Sequence, residues 1–351
     1  MPDDGRMGTP ASISEATKPA PIARSPAVDT LRGIACILLV CFHVIGHDAT
    51  AGIQVTDDSI FRWFTDSAVY LRMPLFSFLA GLVYAWRPLT SINAYPNFMG
   101  KKVRRLLIPY VIFVPLIGVV QTYLPGANNP PDGNVGTWLL YSISPYWFLL
   151  STFWIFAVIA LMDSFNLLAR REVVVGLIAA LVACSMLVPE LPTMLQAQNA
   201  LTLAPFFVTG LATARFQFDT MRPALLAAFG VAFVALLVYT QLGVFDVLDY
   251  ADSRRNLGGI ALGILFPLLF LALGWRNQAL ARIGVYSSGI FLLHSFVIGG
   301  TRAVMNKAGV TADWVQFITL VTAGIVLSIA GVIVLRKFRV GRVMLGEKWS
   351  G

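Results

Sequence analysis

Long apolar runs dominate this chain and constrain its fold more than any other feature of the sequence. Ten runs approach the length at which a helix crosses the hydrocarbon core of a bilayer. They cover 31–47, 67–86, 106–124, 138–162, 173–189, 199–214, 223–241, 257–274, 283–300 and 314–335. Only 13% of the residues are charged, against about 25% in soluble domains. The sequence therefore predicts an all-α, polytopic integral membrane helical bundle of about ten transmembrane helices.

The loops between these runs alternate in charge, which predicts how the protein is oriented. The two tails and the loops 87–105, 163–172, 215–222 and 275–282 hold most of the lysines and arginines, whereas the other loops are richer in Asp and Glu. Because basic loops stay in the cytoplasm, both termini are predicted to be cytoplasmic. The net charge of +8 therefore serves membrane orientation and does not indicate nucleic-acid binding.

The two ends of the chain differ from its apolar body. Residues 1–27 are rich in Pro, Ala, Ser and charged side chains, which predicts a disordered cytoplasmic tail. No apolar core precedes residue 31, so this segment is not interpreted as a signal peptide. We expect a transmembrane domain over 28–340 and a cytoplasmic C-terminal tail over 341–351.

Arg32 and His43 lie in the first apolar run with no charged residue between them. As helical residues, their side chains would lie about 20° apart around the axis and about 16 Å apart along it. Ionisable groups in a membrane helix most often mark a functional site, and imidazole titrates near neutral pH, as a general base must. Alternatively, His43 packs between helices, and Arg32 anchors the cytoplasmic edge or pairs with Asp29.

Arg72 and His294 are expected at a depth similar to that of His43. In the predicted topology the second helix runs inward and the ninth runs outward, which puts all three residues in the outer half of the membrane. Pro74 follows Arg72 closely and leaves a backbone carbonyl available for polar contacts. Three polar side chains at one depth predict a polar interior in the bundle.

Three further features have both a structural and a functional interpretation. His47 follows His43 by one turn, but without an HExxH pattern it is interpreted as an interfacial residue and no metal site is expected. Tyr146 and Trp147 are typical of an interfacial aromatic belt and could also line a sugar-sized pocket. A basic segment is typical of a topology anchor and would also attract a phosphorylated ligand. It comprises Lys101, Lys102, Arg104 and Arg105.

Five segments of the chain form a set of motifs in a fixed order. They are VDTLRGIACILLVCFH with its R-x10-H spacing, RMPLFSFLAG, KVRRLLIPY, YWFLL and YSSGIFLLH. Together they resemble the acyltransferase type 3 family of membrane-bound acyltransferases. The segments around MPLFSFLAG and YWFLL resemble the sugar O-acetylase branch more closely than members with an attached extracytoplasmic hydrolase-like domain. We expect no such domain in this chain.

The resemblance implies transfer of an acyl group, usually acetyl from acetyl-CoA, to a hydroxyl of a carbohydrate or glycolipid of the cell envelope. It also implies the bacterial cytoplasmic (inner) membrane. Arg32 and His43 match the family's essential pair, and Arg104 and Arg105 fall in its basic segment before the third span. The family often has WSLxxE or a similar motif in the fourth span, whereas this chain has YWFLLSTFW, so no carboxylate is carried over.

Residues and resemblance together predict one mechanism, with acetyl-CoA as co-substrate and no metal. The catalytic residues are expected to be His43 as general base, Arg72 as oxyanion donor, and Arg32. The pantetheine arm is expected along the Arg32–His43 stripe, and the acceptor at Trp147, Tyr146 and His294. The CoA phosphates are expected at the cytoplasmic mouth on Arg32, Lys101, Lys102, Arg104 and Arg105.

Two other functions explain part of the pattern. A secondary transporter or exporter of a glycan or lipid intermediate would also have many spans and buried ionisable groups, and it predicts inverted repeats and interrupted helices. A catalytically inactive family member acting as a sensor would not need the intact pair Arg32 and His43. The sequence therefore favours the enzyme.

Overall fold

The computed structural model describes residues 25–123, 130–190, 192–245, 247–248 and 255–348, and these ranges contain helices and no strand. The α-helices are α1 (Pro26–Ile45), α2 (Ile60–Ala85), α3 (Tyr95–Lys102), α4 (Ile108–Tyr123), α5 (Val135–Tyr141), α6 (Trp147–Ser164), α7 (Arg171–Leu187), α8 (Ala197–Phe216), α9 (Pro223–Val244), α10 (Leu257–Ala272), α11 (Gln278–Val285), α12 (Ser287–Lys307), α13 (Asp313–Leu335) and α14 (Arg339–Met344). The predicted all-α membrane architecture is confirmed.

Each of the ten predicted runs overlaps a helix, and seven helices of the described ranges are long and apolar enough to cross a membrane. They are α1, α2, the continuous helical stretch Ile92–Tyr123, α6, α9, α12 and α13, and α10 is a shorter apolar helix. In the most apolar part of α1, 67% of the residues are buried, against 6% in α9. Thus α1 lies inside the bundle and α9 at its lipid-facing edge. The total of about ten spans and their orientation stay predictions.

The ends of the chain follow the prediction only in part. Most of the predicted N-terminal tail, residues 1–24, lies outside the described residues. The first helix begins at Pro26, earlier than the apolar run, because proline fits the first helical position, where its missing N–H is not needed. In the C-terminal tail, α14 is helical, and Gly346 follows it against the backbone of Arg104 and Arg105.

Two apolar runs are divided by short breaks. The run 138–162 consists of α5, a connecting segment and α6, so the long helix begins at Trp147. The run 283–300 contains the end of α11 and most of α12. In addition, α12 continues past residue 300 to Lys307, so Arg302 belongs to a helix and not to a loop. The charged side chain of Arg302 ends the apolar run in the sequence, but the helix in the structure continues past it.

The sixth apolar run, which is the least apolar in sequence, forms one of the most buried helices. Pro205 lies inside α8 without dividing it, and every residue from 203 to 213 is buried. The hydroxyl of Thr209 donates to the Pro205 carbonyl, and Ser77 of α2 donates to the Leu203 carbonyl. Because α8 faces other helices, these polar groups are satisfied within the protein and do not meet lipid.

Glycines allow two pairs of helices to approach at backbone distance. A Cβ placed on Gly81 of α2 would lie 1.9 Å from the Phe207 carbonyl oxygen, and one on Gly210 of α8 would lie 1.9 Å from that of Phe78. A Cβ on Gly33 of α1 or on Gly284 of α11 would lie 2.1 or 1.9 Å from a carbonyl oxygen of the opposite helix. Small residues at membrane helix interfaces permit this packing, which places α1 and α2 at the centre of the bundle.

A buried ion pair ties three of these helices together at the C-terminal end of α2. The guanidinium of Arg215 donates to both carboxylate oxygens of Asp163, over 2.8 and 2.9 Å, and also to the Leu168 carbonyl. The hydroxyl of Tyr84 donates to the same carboxylate over 2.8 Å. Bidentate arginine–carboxylate pairs are among the stronger hydrogen-bonded contacts, so this network fixes α2, α6 and α8 relative to one another.

Candidate active site

A cavity of about 500 Å³ lies where α1 ends, at the opposite end of α1 from Arg32. Its wall comes from α1, α2, α4, α12, the loop after α1, the segment before α6 and the first residue of α6. The polar and charged side chains that line it are His43, His47, Arg72, Gln121, Ser144, Trp147, Ser295 and Arg302. The volume fits a ligand of small-molecule size.

His43 and His294 meet beside this cavity. Their ring centroids are 4.9 Å apart with the planes inclined at 54°. His43 lines the cavity and is half-buried, whereas His294 is completely buried behind it. The Nδ1 atom of His294 lies 2.9 Å from the Ile290 carbonyl oxygen, and since a carbonyl only accepts, Nδ1 carries the proton. The Nε2 atom of neutral His294 is then an acceptor, and the hydroxyl of Ser295 lies 3.4 Å from it.

Arg72 reaches the same cavity from α2. Its side chain is buried, and its guanidinium carbon lies 3.3 Å from the centroid of the Phe42 ring. Because Phe42 directly precedes His43, this cation–π contact holds the guanidinium close to the imidazole. The structure thus brings together His43, Arg72 and His294, the three polar residues for which the sequence predicts a similar depth.

The loop after α1 folds back over the end of that helix and forms part of the cavity wall. Gly46 has φ 93° and Gly52 has φ 59°, and a Cβ at either position would meet backbone of the opposite segment within 2.5 Å. Two arginines hold the loop. Arg62 donates to the Gly46 carbonyl and Arg302 donates to the Gly52 carbonyl, each over 2.7 Å. The rim of the cavity is therefore ordered by side chains from α2 and α12.

His47 lies at this rim, where it is exposed and its Nε2 is 2.9 Å from the Asp48 carboxylate. Hydrogen bonds from the hydroxyl and the backbone N–H of Thr50 hold the pKa of the Asp48 carboxyl below its usual value. Asp48 is therefore an anion at neutral pH. In the described residues, His, Cys, Asp and Glu form no cluster that could hold a metal ion.

The two aromatic residues expected at the acceptor site have different positions. Trp147 lines the cavity. Tyr146 is completely buried, its hydroxyl donates to the Leu292 carbonyl over 2.7 Å, and its ring stacks on Phe113. Tyr146 is therefore placed outside the cavity wall, where it joins the start of α6 to α12.

Arg32 lies near the other end of α1, away from the cavity. Its side chain is 28% exposed and forms an ion pair of 2.7 Å with Asp29, as one of the structural interpretations of the sequence expects. On the stripe towards His43, Ala35 and Cys36 are completely buried, and the cavity begins at Leu39. The helix brings Arg32 and His43 onto one face without joining them in one pocket, and packed side chains lie between them.

The basic segment 101–105 adopts an unusual helical geometry. Val103–Leu107 form a π-helix, with the Ile108 N–H donating to the Val103 carbonyl. Pro109 follows and has no N–H to donate, which favours this local widening. Lys101 and Arg105 are exposed, whereas the Lys102 ammonium lies 3.3 Å from the centre of the Phe156 ring. The Nε atom of Arg104 is buried without a hydrogen-bond partner, and π-helical turns are frequent at functional sites.

The sequence interpretation missed one cavity-lining stripe on α12. Ser295, Gly299 and Arg302 are spaced at i, i+4 and i+7, so they share one helix face, and all three line the cavity. That spacing, continued past the end of the apolar run, is the signal that could have identified Arg302. Gln121 and Ser144 also line the cavity, and no pattern in the sequence indicates them.

Comparison with known proteins gives one match. The sequence model of the acyltransferase type 3 family, described as an acyltransferase domain, matches residues 25–337, which is nearly the whole chain. The match begins just before α1 and ends just after α13, so it includes every residue of the cavity wall. No curated protein and no solved structure matches the chain.

Proposed function

Because the chain belongs to the acyltransferase type 3 family and is therefore a membrane acyltransferase, we propose that it transfers an acyl group, preferably acetyl, from acyl-CoA to a hydroxyl of a carbohydrate or glycolipid. The observation that carries this proposal is the cavity that His43, backed by His294, lines together with Arg72. In this proposal His43 is the base, His294 packs against it, and Arg72 supplies a cation, in a space large enough for a sugar.

In the proposed reaction the acceptor hydroxyl attacks the carbonyl carbon of the thioester while His43 takes the hydroxyl proton. A new C–O bond forms, and negative charge collects on the carbonyl oxygen, where the Arg72 guanidinium stabilises it. The tetrahedral intermediate then expels the CoA sulfur as the C–S bond breaks. The proton held by His43 passes to the departing thiolate, which leaves an ester and free CoA.

The donor would bind from the end of the bundle that holds Arg32. Its phosphates would contact Arg32, Lys101, Lys102, Arg104 and Arg105, of which Lys101 and Arg105 are exposed. The pantetheine arm would then have to pass Ala35 and Cys36, which are completely buried. We propose that this packed stretch opens when the donor binds, so that the thioester reaches His43 without CoA crossing the membrane.

The experiment uses purified protein in lipid nanodiscs with acetyl-CoA and an alkyl glycoside, and it measures free thiol and acylated glycoside. Replacement of His43 by Ala should lower the turnover rate by about 10²–10⁴-fold, the usual contribution of a general base. His47→Ala is the matched control, because His47 is one turn away and exposed, and it should retain most of the turnover. Undiminished acylation by His43→Ala protein would refute the assignment of the base.

The same assay separates the enzyme from a transporter. A transporter would move glycan or lipid across a vesicle membrane without consuming acetyl-CoA, and its mechanism calls for interrupted helices. In the structure α8 is one continuous element from Ala197 to Phe216 although Pro205 lies inside it, whereas the runs 138–162 and 283–300 are divided by short breaks. The discrimination therefore comes from the assay. Thiol release that requires both the acceptor and intact His43 would favour the acyltransferase.

A further inference from the structure

Two arginines line the cavity. Arg302 lines it at the rim from α12 and Arg72 lines it beside His43 from α2, whereas none of the described lining residues is Asp or Glu. The nearest carboxylate along the loop is Asp48, which accepts three hydrogen bonds from Thr50 and Ala51 and pairs with His47. Cationic walls in surroundings of low dielectric attract anions and strengthen their binding.

Arg302 is placed to bind an anion at a distance from the reacting hydroxyl. It follows His294 by eight residues on one helix, which corresponds to about 12 Å along the axis. One of its N–H groups donates to the Gly52 carbonyl, and this bond fixes the guanidinium at the cavity wall. A guanidinium has five N–H donors in a planar fork that matches the oxygens of a carboxylate or a phosphate.

We propose that the acceptor is anionic: its carboxylate or phosphate group binds Arg302 at the rim while its hydroxyl reaches His43 deeper in the cavity. This inference rests on the proposed acyl transfer and adds the chemical class of the acceptor. Arg302 and His294 lie at different levels of α12, and His43 is at the level of His294. The anionic group and the reacting hydroxyl must therefore lie on different parts of one molecule. An acidic sugar or a sugar phosphate meets this requirement, and a small neutral alcohol does not.

The test compares three probes that differ in charge: octyl β-D-glucoside, octyl β-D-glucuronide and octyl β-D-glucoside 6-phosphate. With wild-type protein in nanodiscs and acetyl-CoA, kcat/KM should be about tenfold or more higher for an anionic probe than for the neutral one. The carboxylate and phosphate probes distinguish which anion the site prefers. Each probe's shift of the thermal unfolding temperature reports binding without any transfer step.

The variants Arg302→Gln and Arg302→Lys test whether the Arg302 guanidinium causes the preference for anionic probes. Arg302→Gln should lower kcat/KM for the anionic probes by about tenfold or more beyond its effect on octyl glucoside, which reports the loss of the loop contact with Gly52. Arg302→Lys keeps the charge and should retain a large part of the preference. Arg62→Gln is the matched control, because Arg62 holds the same loop through Gly46 and is not part of the cavity wall.

The outcomes separate this inference from the proposed function. Thiol release and thermal shifts that are equal for all three probes would overturn the anionic acceptor while leaving acyl transfer intact. Equal losses for all probes in both Arg302→Gln and Arg62→Gln would show that Arg302 only holds the loop, and would overturn it too. Absence of thiol release with every probe, under conditions in which the probes shift the unfolding temperature, would overturn the proposed function itself.

Discussion

His43 on α1 and His294 on α12 face each other with ring centroids 4.9 Å apart, although they come from opposite ends of the chain. Only His43 lines the cavity, and His294 is completely buried behind it, with Nδ1 against the Ile290 carbonyl. We infer that His294 acts as a positioning residue, because its ring packs against the His43 ring from behind the cavity wall. The sequence predicts an acceptor-binding role for His294, and that prediction requires a place in the wall, which His294 does not have.

Replacement of His294 by Leu should lower kcat by about tenfold to a hundredfold with little change in KM for acetyl-CoA, because the base stays in place but loses its oriented neighbour. His294→Gln keeps an acceptor close to the position of Nε2 and should recover part of the rate. Turnover measured against pH provides the second readout, since a positioning residue shifts the profile and a packing residue does not. Equal kcat in both variants, with an unchanged profile, would contradict this role.

Replacement of Arg72 by Gln should lower kcat by about 10²–10³-fold, the usual loss when an oxyanion donor is removed. The KM values should change little, because the proposed contact forms with the charge that develops in the transition state. Arg72→Lys is the matched variant, since it retains the cation over Phe42 without the planar fork. An increase in KM with unchanged kcat would instead place Arg72 in ground-state binding, and would contradict the oxyanion assignment.

Local sequence patterns predicted some residues of the site, and contacts between distant segments determined the others. A similar depth for His43, Arg72 and His294 was predicted from topology, because position along a helix and loop charge determine how far a side chain lies in the bilayer. The structure brings the three side chains together beside one cavity. The sequence did not predict Arg302 in the site, because a charged residue ends an apolar run, whereas helix α12 continues to Lys307. The loop that Arg302 holds depends on a contact distant in sequence, which no local pattern encodes.

For the fold, too, the sequence predicted the helices but not the contacts between them. Apolar runs predicted which segments are helical, yet they could not show that α8 is buried among helices while α9 faces lipid. That difference arises from backbone contact at Gly81 and Gly210, and a glycine in an apolar run looks the same whether or not another helix lies against it. Tyr146 is a similar case at the site. Its hydroxyl donates to the Leu292 carbonyl, a contact distant in sequence that makes it a buried packing residue and not part of the cavity wall.

Replacement of Gly210 by Val should destabilise the bundle, because its side chain would enter the Phe78 carbonyl at 1.9 Å. Overpacking of a tight interface costs about 1–3 kcal/mol or more, and here backbone must move. The measurement is thermal unfolding in detergent or nanodiscs. Gly230→Val on α9 is the matched control, because no atom lies within 4 Å of the added Cβ, and its unfolding temperature should stay close to wild type. Similar temperatures for the two variants would contradict the proposed interface.

The donor end predicts a different kinetic signature. Arg105→Gln should raise KM for acetyl-CoA several-fold with little change in kcat, because Arg105 is exposed, far along the bundle from His43, and would contribute charge to phosphate binding. The effect should shrink as salt is added, since exposed charges are screened. Lys307→Gln is the control, because it removes one exposed charge at the other end of the bundle and should leave this KM unchanged. Equal effects of the two variants would contradict a donor site at 101–105.

Filling the cavity tests whether the acceptor occupies it. Gly299 lines the cavity, and a Cβ built there meets no atom within 4 Å, so Gly299→Leu can add a side chain without disturbing the fold. It should raise KM for a glycoside acceptor by about tenfold or more, since the added methyl groups displace ligand from the wall, with KM for acetyl-CoA and the unfolding temperature nearly unchanged. The control is Gly176→Leu on the exposed face of α7, where the added Cβ is also free of contacts. If Gly299→Leu left the acceptor KM at its wild-type value, the acceptor would have to bind elsewhere, because a leucine at this position reduces the space between α12 and His43.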